Sequence, residues 1–473
     1  MKKFIDQAVL IPVIAVVLVL ITGWTGGNAL AQAAPARIVG PIPSATLSAP
    51  SDERLLNPSA IELAARGYIE EEYFIEGAAN QYTSPDLETA EIIDGGHRYR
   101  SRFIVRRPLA ADKFNGVVVI EWNNVTASRD LDIDWWQSGA HFVRNGYVFI
   151  SVSAQRVGVA HLKTTRPGRY ESLDVTHDGM VTNDALSYDI FTAVAKTVPR
   201  KGAVEPPDVD ILGGMRADTL IATGHSQSAS RLATYLNNIH MLDPVFDGIM
   251  VHGGGGRIRD DQPVKIFKIM AETDMAGRAA NPQPSSNTFR QWEVAGTSHV
   301  DIPFEIEYAR MVALEAGQPT DDVSPRTPVC ELPTYSHVPF RYAMNAAFEH
   351  LREWIATGTL PPQAPPLQIA QVGPPLVFAR DEHGNILGGI RLAEHAVPLA
   401  SNTGMNSGDA FCRLYGSHQA FDTATLKALY PSRQAYLDAV RQAVEENIAA
   451  GFMLEYDGAQ TIRTAESSDA VSW

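Results

Sequence analysis

The string Thr219-Leu220-Ile221-Ala222-Thr223-Gly224-His225-Ser226-Gln227-Ser228-Ala229 sets a serine among small residues where an apolar run gives way to a helix-forming one. Gly-x-Ser-x-small is what a sharp strand-to-helix turn requires. The backbone folds back on itself only where the flanking side chains are small, and the serine hydroxyl then stands exposed above a sheet. Ser226 is the candidate nucleophile. Ser228 takes the fifth position, where glycine is usual, and is still small. A serine hydroxyl is a weak nucleophile at neutral pH, so a histidine must take its proton and a carboxylate must orient that histidine.

Both partners occur downstream, in that order. The apolar stretch 264–270 leads into Ala271-Glu272-Thr273-Asp274, and 288–294 leads into Ala295-Gly296-Thr297-Ser298-His299. His299 is the candidate general base. Asp274 is the candidate acid, because small-x-x-Asp after the strand is the commoner placement, and Glu272 is its rival. Taken singly, Ser226 reads more readily as a helix N-cap and His299 as an ordinary loop histidine. Their order and context favour a triad. The oxyanion of a tetrahedral intermediate needs N–H donors, one expected from the Gln227 backbone and another from the turn after Val117–Trp122, at Asn123 and Asn124.

These residues need a sheet to hold them. Val117–Trp122 and Tyr147–Val152 are largely apolar runs suited to strands covered on both faces. Strands at 218–223, 246–251, 264–270 and 288–294, with helices at 135–145, 184–198, 227–239 and 341–357, alternate as in a mostly parallel sheet flanked by helices. Tyr68–Gly77 and Tyr99–Arg106 alternate polar and apolar residues, as half-exposed antiparallel edge strands do. The predicted architecture is an α/β-hydrolase fold at residues 61–466. The segment 367–466, extended and looped at first and helical at 432–450, is expected to pack on the core as part of one domain.

Ahead of it, residues 34–60 hold Pro35, Pro41, Pro43, Pro50 and Pro58 and read as an extended lead-in without regular structure. Residues 1–33 read as a signal peptide. Lys2 and Lys3 precede the apolar run Ala8–Ile21, and small residues up to Ala31 and Ala33 offer a cleavage site. Fourteen apolar residues fall short of the roughly 20 of a bilayer span, so membrane contact is expected only through the export signal, an uncleaved anchor being the alternative. Cys330 and Cys412 are the only cysteines. In an exported protein they allow one disulfide, with two free thiols as the alternative.

Composition closes off other classes. With 45% hydrophobic and 20% charged residues the chain can bury a large core, and a net charge of −15 opposes nucleic-acid binding. Asp130-Leu131-Asp132-Ile133-Asp134 begins like a calcium loop, but Trp135 stands where glycine is needed and His141 where glutamate is. Gly253–Gly256 lacks the Gly-Lys-Ser/Thr of a phosphate loop and reads as a tight turn near the site. No zinc or dinucleotide motif occurs, so no metal and no cofactor are expected.

The strings Glu121-Trp122-Asn123-Asn124-Val125-Thr126, Ser153-Ala154-Gln155-Arg156-Val157-Gly158-Val159, Gly224-His225-Ser226-Gln227-Ser228, Glu272-Thr273-Asp274 and Trp292–His299 resemble the bacterial alpha/beta hydrolase domain family. So do Gly388-Gly389-Ile390-Arg391, Phe411–Gly416 and Leu429-Tyr430-Pro431-Ser432. The resemblance spans about residues 45–466 and implies a serine hydrolase with paired cysteines. It leaves Glu272 and Asp274 both open as the acid. The expected function is an exported serine hydrolase that cleaves a small-molecule carboxylic ester through an acyl-enzyme. A peptidase, lactonase or thioesterase would use the same triad, and a non-catalytic exported binding protein on this fold is the alternative of a different class.

Overall fold

A computed structural model describes residues 36–43, 53–203, 208–275, 283–373, 375–409 and 411–473. The predicted signal peptide lies outside them. Nine strands form one sheet in the order β1-β2-β3-β5-β4-β6-β7-β8-β9. They are β1 Arg37–Ile42, β2 Tyr68–Tyr82, β3 Ile92–Pro108, β4 Val117–Trp122, β5 Val148–Val152, β6 Thr219–His225, β7 Gly248–His252, β8 Lys265–Ala271 and β9 Phe289–Val294. From β5 through β9 all neighbours are parallel, while β1, β2 and β3 are antiparallel additions on one side.

The apolar runs form strands because helices cover both faces. Val118, Ile120 and Trp122 of β4 join one core with Phe191, Val194, Ala229 and Leu232. Val117 and Val119, pointing the other way, join a second core with Phe142, Phe348, Leu351 and Trp354. The helices supplying these residues are Ser187–Lys196 and Gln227–Thr234 on the first face, and Ile133–Arg144 and Phe340–Thr357 on the second. Tyr436, Val440 and Val444 of the helix Arg433–Ala449 belong to the second core. Ile390 extends the sheet past β9, its N–H donating to Glu293 and its carbonyl accepting from Ala295.

The structure corrects several sequence expectations. The lead-in is not wholly irregular, since β1 pairs with β2. An edge strand tolerates Pro41 because one row of its backbone groups faces away from the sheet, and the register shifts between Val39 and Ile42. The strands read as half-exposed edges are longer than expected, and β2 and β3 lie inside the sheet. The helix expected over 227–239 is α-helical to Thr234, then widens into a π turn at Tyr235–Ile239. Helices Arg156–Thr165, Ile302–Ala316 and Glu455–Ser467 are additional. Among the described residues no helix is long and apolar enough to cross a membrane.

Topology already points to one place. The chain leaves β4 for β5 on one side, then returns past β4 to form β6 on the other. Such a switch opens a crevice at the carboxyl ends of β4 and β6, where open α/β sheets bind ligands. Ser226 and the turn after Trp122 lie at those two ends.

Candidate active site

Ser226 follows β6 with φ 60° and ψ −111°, a left-handed region that a residue with a Cβ adopts only under strain. Its surroundings hold it there. The Ser226 N–H donates to the His252 carbonyl at 2.9 Å. A Cβ on Gly254 would lie 2.4 Å from the Ser226 carbonyl oxygen, so Gly254 is glycine because the elbow presses on it. Ser228, the departure from the usual glycine, ties the turn together: its Oγ accepts from the His225 N–H at 3.0 Å and donates to the His225 carbonyl at 2.9 Å.

The three sequence-predicted side chains meet. His299 Nε2 lies 2.8 Å from Ser226 Oγ, and His299 Nδ1 lies 2.5 Å from Asp274 Oδ1. Asp274 Oδ2 accepts from the Ala271 N–H at 2.7 Å. Thr273 Oγ1 accepts from the His299 N–H at 3.2 Å, which fixes the loop after β9. Glu272 points elsewhere. It is fully buried, receives Arg380 at 2.6 Å and the Gly296 N–H at 3.1 Å, and makes no bond to His299.

The two carboxylates are also electrostatically unlike. Burial works to raise the Asp274 carboxyl, but His299 beside it and the Ala271 N–H hold it below its ordinary value of 3.8. Burial raises Glu272, and Arg380 opposes this only in part. A carboxyl depressed on folding contributes stability in full above the unfolded value, and that contribution is lost as pH falls through the lower folded value. Urea midpoints of wild type and Asp274→Asn are therefore expected to differ by a constant amount above about pH 5 and to converge below 3.8. A gap that widens on acidification would reverse that sign.

Beneath His299 lies a polar cluster that sequence reasoning missed. The His225 ring packs 4.3 Å from the His299 ring and 4.2 Å from the His252 ring. His252 Nδ1 is 2.7 Å from Asp134 Oδ1, and Thr223 Oγ1 donates to Asp134 Oδ2. Burial holds His225 well below the ordinary imidazole value, so a neutral ring backs His299. The three carboxylates of the string 130–134 thus serve separate partners: Asp130 pairs with Arg102 and accepts from Ser153, Asp132 pairs with Arg106, and Asp134 with His252. Its carboxylates diverge. Among the described residues no three metal-ligating side chains converge.

The oxyanion candidates separate. Gln227 opens the helix Gln227–Thr234, and a first-turn N–H has no partner within its helix. The Asn123 N–H goes to the Val152 carbonyl at 3.2 Å, and the Asn124 N–H to the Leu131 carbonyl at 2.9 Å. Both are spent. The Asn124 side chain donates to the His225 carbonyl at 2.9 Å and accepts from the Thr126 N–H at 2.8 Å, so it braces the elbow against the β4 turn. Between them the Val125 N–H finds no acceptor among the described residues. Gln155, also missed, exchanges side-chain hydrogen bonds with Gln227 at 3.0 and 2.7 Å and clamps the helix start to that turn.

Ser226 and His299 open into a cleft of about 560 Å³, open solvent at its mouth included. Its walls come from the β4 turn (Asn124, Thr126, Leu131), the helix Ile302–Ala316 (Phe304, Tyr308) and the segment around Cys412 (Phe411, Leu414, Tyr415). The loop after β5 does not line it. Asp301 capping that helix, Pro303 in its first turn and Gly317 at its end were the signals that could have revealed it.

Cys330 and Cys412 form a disulfide that closes a sequence separation of 82 residues. In the chain-entropy account such a loop is worth up to about 4.5 kcal/mol, and native bridges typically deliver about 2 to 4. Cys330→Ser with Cys412→Ser is expected to lower stability by that amount in guanidinium titrations and to lower kcat/KM, since Phe411 and Leu414 flank the bridge in the cleft wall. An unchanged midpoint would refute the first expectation.

The family model described as "Alpha/beta hydrolase domain" matches residues 38–463. The chain belongs to this family. Solved structures similar to it include a hydrolase and esterases. A putative dienelactone hydrolase from Klebsiella pneumoniae is 13% identical, with 51% of this chain and 98% of that one covered and a TM-score of 0.24. The esterase Est22 is 15% identical over 53% of this chain and 80% of its own, with a TM-score of 0.29. A glucuronoyl esterase from Solibacter usitatus is 8% identical over 48% and 76%, with a TM-score of 0.26. Similarity this slight leaves the alpha/beta hydrolase assignment resting on the family match and the topology. No curated protein matches the chain.

Proposed function

We propose that this alpha/beta hydrolase is an exported serine esterase. The observation that carries the reading is the unbroken hydrogen-bond chain from Ser226 Oγ through His299 to a buried Asp274, at the base of an apolar cleft. In the proposed reaction Ser226 Oγ attacks the ester carbonyl carbon while His299 Nε2 takes its proton. Asp274 accepts the Nδ1–H, which leaves Nε2 free as the base and stabilises the imidazolium. The Gln227 and Val125 amides hold the oxyanion. Collapse expels the alcohol, protonated by His299, and leaves an acyl-serine. Water, deprotonated by His299, then releases the acid and restores Ser226.

Export is part of the proposal, supported by the disulfide, since such bonds persist in oxidising compartments. The test is direct. A fluorophosphonate probe is expected to label the folded protein on the peptide carrying Ser226, and loss of label in Ser226→Ala excludes reaction elsewhere. Folded wild-type protein without label would end the serine-hydrolase reading.

A further inference from the structure

The cleft has a second polar feature besides the triad. Arg326 lines it with a side chain 54% exposed, and beneath it Glu305 is fully buried. They meet as a fork, Arg326 Nε donating to Glu305 Oε2 at 2.6 Å and Nη2 to Oε1 at 2.6 Å. The guanidinium carbon lies 4.9 Å from the centroid of the Tyr308 ring, and Tyr335 Oη donates to the Arg326 carbonyl at 2.8 Å. A flexible side chain is thus ordered in advance, which removes a cost that ligand binding otherwise carries. Nη1 bears two N–H groups with no acceptor among the described residues. Among the described residues no other arginine and no lysine lines the cleft.

The placement of the pair decides the sign of what it attracts. Glu305 also borders the cleft but is fully buried with both oxygens taken by Arg326, so the half-exposed guanidinium is the part of the pair offered to a ligand, in otherwise mostly apolar walls. We propose that Arg326 binds a free carboxylate, so that the substrates are esters bearing a second, unesterified carboxyl group away from the scissile bond. Nη1 with the outer Nη2–H can meet such a group side by side, and hydrogen bonds between two ionised partners are the strong ones. The ester half of this inference rests on the proposed function. The carboxylate half does not.

The test is therefore equilibrium binding to Ser226→Ala, where no turnover intervenes. Two matched pairs are titrated by calorimetry: monoethyl adipate against its terminal amide, and 3-carboxypropyl butyrate against 3-carbamoylpropyl butyrate. In at least one pair the acid is expected to bind about 10- to 100-fold tighter, the range of a hydrogen bond between charged groups. Arg326→Met alone would strand the buried Glu305 charge and endanger folding. The comparison is made in Arg326→Met combined with Glu305→Gln, where the acid-to-amide ratio is expected to fall to about one as the charged bond is lost. No acid preference in either pair, or a preference that survives the double substitution, overturns the proposal. Hydrolysis of monoethyl adipate and 3-carboxypropyl butyrate by wild type is read separately: its absence for both counts against the esterase reading and leaves the carboxylate site to the titrations.

Discussion

Ser226→Ala is expected to lower kcat on a p-nitrophenyl ester by about a million-fold, the order seen when a serine nucleophile is removed from an intact triad. The fold should not move. Among the described residues the side-chain partner of Ser226 Oγ is His299, while the backbone of the residue is held by His252. Alanine keeps the Cβ, so the strained φ of 60° is unchanged and the thermal midpoint should shift little. What survives is the contribution of the cleft and of the Gln227 and Val125 amides, about 10³ to 10⁴ over water in comparable sites. A variant with more than about one part in a hundred of wild-type kcat would show that Ser226 is not the nucleophile.

Asp274→Asn should cost about 10⁴ in kcat. Asp274 Oδ1 accepts from His299 Nδ1, which puts the lone pair of the imidazole on Nε2, facing Ser226. An asparagine amide donating at the same place would force the proton to Nε2 and leave nothing to receive the serine hydrogen. Glu272→Gln provides the contrast. It loses part of a charge-assisted bond to Arg380, a stability cost of about 1 to 3 kcal/mol, while the triad keeps its distances. Its kcat should stay within about tenfold of wild type, since only transition-state contacts change the chemical step. If Glu272→Gln were the dead variant and Asp274→Asn the active one, the assignment of the acid would be wrong.

The two carboxylates show where reading the chain runs out. Spacing admits both, because each follows β8 within a few residues. The structure separates them because they sit two positions apart in the helical turn Glu272–Met275, where neighbours at that spacing point different ways. The elbow was legible for the opposite reason: crowding at Gly224, Ser228 and Gly254 leaves few residue types available. Interior strands such as β4 read clearly because helices on both faces demand continuous apolar runs. Strand β1 did not, since its proline argues against a strand until its place at the sheet edge is known. The helix Ile302–Ala316 mixes apolar and charged residues without a clean stripe, so only its caps betray it. The Asp134, His252 and His225 cluster and the Arg326–Glu305 fork join residues far apart in the chain and carry no local pattern.

The left-handed backbone at Ser226 places activity and robustness in opposition at a single codon. Glycine adopts φ near +60° without steric penalty, so a glycine there would relieve a conformation that strain makes unfavourable by about 1 to 3 kcal/mol. A library of variants sorted only for expression or heat resistance should accumulate that change, and every clone carrying it would be inert. Screens for tougher forms of this protein must therefore score turnover alongside folding, or they will select the proposed nucleophile out.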